Sequence, residues 1–150
     1  MTIPFVILFA VAALAASAQE PKGLALKKLP PAVQKSVEDE AKGATIKNIS
    51  KETEHGVTQY EVETMLNGKH RDFNVDLKGA VVLVEEESAL DAFPAAARSA
   101  ILGKVGNDGK LGMVELVKKG TETFYEAAYT AKNGKKRSVV VKADGTETKI

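Results

Sequence analysis

Hydrophobic and polar positions change their period along this chain, from helical to alternating, and do so twice. After Pro30, a residue suited to the first turn of a helix because its missing N–H has no partner there anyway, Val33, Val37 and Ala41 recur every four residues. Gly43 follows as a stop. Thr45 to Ile49 then reads as a first strand, although Ile46 and Ile49 break strict alternation and mark a bulge. From Tyr60 the alternation is clean. Tyr60, Val62, Thr64 and Leu66 face a core, while Gln59, Glu61, Glu63 and Met65 point the other way. Asn67-Gly68 predicts a tight hairpin, after which Phe73, Val75 and Leu77 return on the core face. Gly79 turns the chain into a last strand, Ala80 to Val84.

The same order recurs downstream. Pro94 opens a second helix with Ala97 and Ile101 on one face, and Gly106 stops it. Leu111 to Val117 is the first strand, a strand through Tyr125 leads to the hairpin at Asn133-Gly134, and Val139, Val141 and Ala143 form the returning core set. Asp144-Gly145 turns into Thr146 to Ile150. Individual residues repeat as well. Leu29-Pro30-Pro31-Ala32 matches Phe93-Pro94-Ala95-Ala96, Tyr60-Glu61 matches Tyr125-Glu126, and Asn67-Gly68-Lys69 matches Asn133-Gly134-Lys135. The expected fold is α+β, with two tandem repeats at 29–87 and 88–150. Each is a helix followed by an antiparallel meander of about four strands, the helices packed on one face of the sheet. A unit of that size is marginal alone, so the copies are expected to pack together.

The first 18 residues follow neither period. Ile3 to Ala15 is almost wholly apolar and ends at Ala16-Ser17-Ala18, a small-residue pattern of the kind a signal peptidase reads, before polar Gln19-Glu20. Residues 1–18 are read as a cleaved secretory signal and 19–28 as an N-terminal segment. The apolar run falls short of the roughly 20 residues that span a bilayer, so no membrane insertion is expected after cleavage. The chain has no cysteine, which excludes disulfides, thiol nucleophiles and Cys-ligated metal centres. A periplasmic or secreted location is expected.

The helix start Leu-Pro-x-Ala, then Gly43, Ala44 and Ile46, Tyr60-Glu61-Val62, Asn67-Gly68-Lys69 and a strand ending near Gly79 together resemble the PepSY-like domain. In particular, the chain is similar to the beta-lactamase-inhibitor-like, exported tandem PepSY-like proteins. The resemblance implies a helix-backed antiparallel sheet in each copy. It also implies a link to inhibition of extracytoplasmic peptidases or beta-lactamases.

Composition narrows the function further. The formal net charge of the 150-residue chain is +1, which gives no general attraction to nucleic acid or anionic lipid. The halves differ in sign: residues 19–87 carry 10 basic and 13 acidic side chains, and residues 88–150 carry 11 and 7. No zincin, nucleophile-elbow or complete P-loop motif occurs, and His55 and His70 are the only imidazoles. Neither an enzyme nor a cofactor is expected. Two candidate surfaces remain. Phe124, Glu126, Thr130, Val140 and Lys142 share an outward face of the second hairpin, with Phe124 and Val140 as apolar groups beside charge, able to anchor an extracytoplasmic protein partner. Phe124 could instead pack under a loop or against the other copy. Glu61, Glu63, Asp72 and Asp76 form a weaker candidate, an acidic face that could meet a basic partner, hold Ca²⁺ or simply stay solvated. The expectation is a non-catalytic exported binding module of inhibitor-like type; the alternative is a periplasmic small-ligand or cation-binding protein in envelope sensing.

Overall fold

A computed structural model describes residues 23–54 and 56–150. The signal reading of 1–18, most of the segment 19–28 up to residue 22, and His55 lie outside the described residues. Among the described residues, two α-helices, α1 (Pro31–Glu40) and α2 (Ala95–Val105), accompany eight strands: β1 (Thr45–Glu54), β2 (Val57–Leu66), β3 (Lys69–Asp76), β4 (Val81–Glu87), β5 (Lys110–Lys119), β6 (Glu122–Thr130), β7 (Lys136–Val141) and β8 (Glu147–Thr148). All eight form one open antiparallel sheet in chain order, so that every strand pairs only with its sequence neighbours. The class is α+β, as expected.

Local chemistry accounts for the boundaries. Pro30 and Pro94 stand at the N-caps, one place earlier than expected, with extended ψ values of 143° and 144°. A residue preceding proline avoids the helical region, so Pro30 itself stays extended before Pro31. Gly106 closes α2 at φ 68°, and Gly43 follows the α1 cap at φ 84°. Asn67 and Gly68 take φ of 52° and 79°, the left-handed pair that a two-residue hairpin needs. The anticipated bulge lies between Ile46 and Asn48. First strands run longer than expected, because the β1–β2 and β5–β6 hairpins extend pairing to Glu54–Val57 and Lys119–Glu122.

Both helices cover the same kind of sheet surface. Val33 and Val37 of α1 pack with Ile49, Tyr60, Val62, Phe73 and Val75. In the second half Phe93, Ala97 and Ile101 pack with Val114, Ala127, Tyr129, Val139 and Val141. Arg71 ties the end of α1 to this face through Glu40, and its Nε reaches Glu86 at 3.3 Å, which Lys118 also holds at 3.1 Å. Two core assignments are corrected. Leu77 is 50% exposed, because β3 ends at Asp76, whose Oδ1 accepts the N–H groups of Lys78 and Ala80 and bends the chain into a turn. Ala143 is likewise exposed in the corresponding turn, where the Lys142 N–H donates to Thr146 O and the Gly145 N–H to Lys142 O.

The halves meet edge to edge. Val84 pairs with Lys118, Glu85 with Val117, Glu86 with Leu116 and Glu87 with Glu115. This ladder makes one continuous surface on each side of the sheet.

Candidate functional site

Strand alternation sends every second side chain to the face opposite the helices. Register then arranges this face, helix-free among the described residues, in transverse rows. Glu61 lies opposite Asn74, and Asn74 opposite Leu83. In the next row Asp72 faces Glu85, Glu85 faces Val117, and Val117 faces Phe124. In the third, Glu87 faces Glu115, Glu115 faces Glu126, and Glu126 faces Val140. Directly opposed side chains stand about 5 Å apart at Cβ, and like charges placed so are destabilising. Three carboxylates in one row are therefore a cost to the fold.

Burial sharpens that cost. Asp72 is 5% exposed, Glu85 6%, Glu115 3% and Glu126 1%, beside the buried apolar groups Val117 and Phe124. Some of these carboxylates are answered locally. Asp72 Oδ1 accepts the Thr64 N–H at 2.8 Å, Glu63 Oε1 accepts Asn48 Nδ2 at 3.0 Å, Glu61 Oε2 accepts the Ser50 hydroxyl at 3.4 Å, and Glu87 Oε2 accepts the His70 N–H at 2.9 Å. The centre is not answered. Glu115 Oε1 and both carboxylate oxygens of Glu126 have no hydrogen-bond partner among the described residues. Arg71 and Lys118 are engaged on the other face with Glu40 and Glu86.

Proton affinity follows from this environment. Burial, then the charges of Glu115 and Glu126, push the Glu85 carboxyl up to about 9. Burial and Glu126 raise Glu115 to about 8. Burial, with Glu52 next, raises Glu61 to about 7. Burial also raises Asp72, against the opposing Thr64 N–H, and Glu126, against the nearby Ser138 hydroxyl, which does not complete a hydrogen bond to either oxygen. Desolvation disfavours the charged form, and neighbouring charges add to it. Among the described residues, no three His, Asp or Glu side chains stand close enough together to hold a metal ion.

The residues expected to form two separate surfaces lie on one. Phe124, Glu126, Thr130 and Val140 occupy the helix-free face of β6 and β7, and Lys142 follows just past the end of β7 as an exposed side chain. Glu61, Glu63 and Asp72 occupy the same face of β2 and β3. Two placements differ from expectation. Phe124 is 5% exposed, buried beside Val117 and Glu85 and not offered to solvent. Asp76 spends its carboxylate on the β3–β4 turn. Sequence reasoning missed Glu85, Glu87 and Glu115. A signal existed in the run Glu85-Glu86-Glu87 and in the single acid within the apolar stretch Met113 to Val117. Their meeting depends on the register of β4 against β5, which no local pattern specifies.

No known protein-family profile and no curated protein matches this sequence. Solved structures do share its fold. A protein from Bacteroides eggerthii provisionally assigned to the periplasm superposes with a TM-score of 0.63 at 18% identity, over 81% of this chain and 86% of that one. A DUF2874 family protein from Bacteroides uniformis gives 0.61 at 15% identity, over 80% and 86%. A BLIP-like protein from Bacteroides fragilis gives 0.56 at 19% identity, over 81% and 84%, so the fold of this chain is one shared by BLIP-like and DUF2874 proteins.

Proposed function

We propose that this chain is an exported, non-catalytic binding module that docks an extracytoplasmic protein on the helix-free face of its sheet. One observation carries the reading: on the face that neither α1 nor α2 covers, buried carboxylates stand without hydrogen-bond partners among the described residues, an arrangement that favours a docked surface over open water. A BLIP-like neighbour and a periplasm-assigned neighbour support inhibitor-like binding and a periplasmic location. The signal-like residues 1–18 agree with export. We further read 29–87 and 88–150 as two copies of a PepSY-like unit, a reading supported by a 3-10 turn, helix and four strands occurring in the same order in each half.

Blocking the face without disturbing the core tests the docking. Asn74 and Thr130 are half-buried on the helix-free face, whereas Lys35 and Leu102 are exposed on α1 and α2. Capture from envelope extract of the native host should be lost with Asn74→Trp plus Thr130→Trp and kept with Lys35→Trp plus Leu102→Trp. Capture that survives the first pair, or disappears equally with both, places the interface elsewhere.

A further inference from the structure

The unanswered centre of the helix-free face is specific about what would satisfy it. Glu87, Glu115 and Glu126 stand on three successive strands, with Glu85 on the adjacent row. Strands lie about 4.8 Å apart, so the row spans roughly 10 Å. That is too wide for one metal ion to collect, in keeping with the absence of a metal-spaced group among the described residues. A planar cation with several divergent N–H donors fits better. Guanidinium presents five donors in a rigid fork, bridges carboxylates in pairs, and is hydrated more weakly than an ammonium, so it enters a partly apolar site at lower cost. Val117, Phe124 and Val140 supply such an apolar border. Half-exposed Glu61, Glu63 and Glu87 form an acidic approach.

From the three unpartnered oxygens of Glu115 and Glu126, the width of the row and its apolar border, we propose that this carboxylate row receives an arginine side chain of the docked protein. The inference rests on the docking reading above and adds the chemistry of the partner's contact. In the free protein burial holds the Glu115 and Glu126 carboxyls toward the protonated form, and the guanidinium displaces those protons.

Titration calorimetry on the mature protein at neutral pH tests this with a nine-residue peptide carrying three alternating arginines, and with its lysine and citrulline counterparts. The arginine peptide is expected to bind about tenfold or more tightly than citrulline, which keeps the shape without the charge, and severalfold more tightly than lysine. Glu115→Gln plus Glu126→Gln should weaken arginine binding by about tenfold or more. Glutamine keeps the size and neutrality of a protonated carboxyl, so that variant is expected to melt no lower than the parent, which separates lost binding from lost fold. Equal binding of citrulline or lysine, an unaffected double variant, or Ca²⁺ displacing the peptide one for one each overturns the proposal. If the captured envelope protein is lost with Asn74→Trp plus Thr130→Trp but retained by Glu115→Gln plus Glu126→Gln, docking on the face stands and the arginine contact falls.

Discussion

Tyr60 and Tyr125 occupy the helix-covered face in matching strands of the two halves, yet they are enclosed differently. Tyr60 is buried in the first core with Val62, Phe73 and Val75. Tyr125 is half-buried at the border of the second, its ring meeting Phe93 edge-on at 4.9 Å. Tyr60→Ala should therefore cost about 3–5 kcal/mol, and Tyr125→Ala about 1–3 kcal/mol, since less of its surface is removed from water. Urea unfolding of both variants measures this, and a loss below about 1 kcal/mol at Tyr60 would contradict its placement. Alternation alone put Tyr60, Val62, Phe73, Val75, Val139 and Val141 on the correct face. It failed at Leu77 and Ala143 because side-chain acceptance by Asp76 and backbone turn bonding after Val141 end the strands first. It gave the side of Phe124 but not its depth, because depth is set by neighbours across the sheet.

At the scale of elements, the turns after β3 and β7 hold the helices to the sheet. The Ser36 hydroxyl donates to Gly79 O at 2.6 Å, and a Cβ at Gly79 would stand 2.7 Å from Ala32 O of α1. Gly145 repeats the approach: its Cβ would stand 2.8 Å from Ala96 O of α2. Their φ angles of 87° and 85° add a conformational reason for glycine. Gly79→Ala and Gly145→Ala should each destabilise by about 2–4 kcal/mol, combining backbone strain with a forced shift of the helix. Gly134→Ala, at φ 77° with nothing within 4 Å, should cost about 1 kcal/mol. Equal losses at all three would show that helix contact contributes nothing. The sequence marked these glycines as turns, whereas the helix approach depends on tertiary packing that a single chain segment does not encode.

Across the whole molecule, the acids of the helix-free face couple stability to pH. Glu61, Glu85 and Glu115 hold protons in the folded state up to about 7, 9 and 8, whereas in the unfolded chain each releases near its ordinary value of 4.5. Between those limits the folded state binds more protons, so stability is fully present below the unfolded values and falls as pH rises. Melting temperature should drop by about 5 °C or more from pH 5.5 to pH 9, and Glu85→Gln plus Glu115→Gln should flatten the slope. A profile that is level or climbs with pH would refute the assignment. The charge difference between halves hinted at an acidic region, but its continuation into the basic half through Glu115 and Glu126 came only with the β4–β5 ladder. That same strand order governs how the sheet assembles in time. Each of the eight strands pairs with the strand before or after it in the chain, without a crossover. Closing a short loop loses little entropy, and sequence-local pairings form faster than distant ones. Strand order alone therefore predicts that any hairpin can start the sheet and that growth proceeds outward from it. The β4–β5 step has the longest connection to close, because α2 lies within it, and loop-closure entropy therefore predicts that it pairs after the short hairpins.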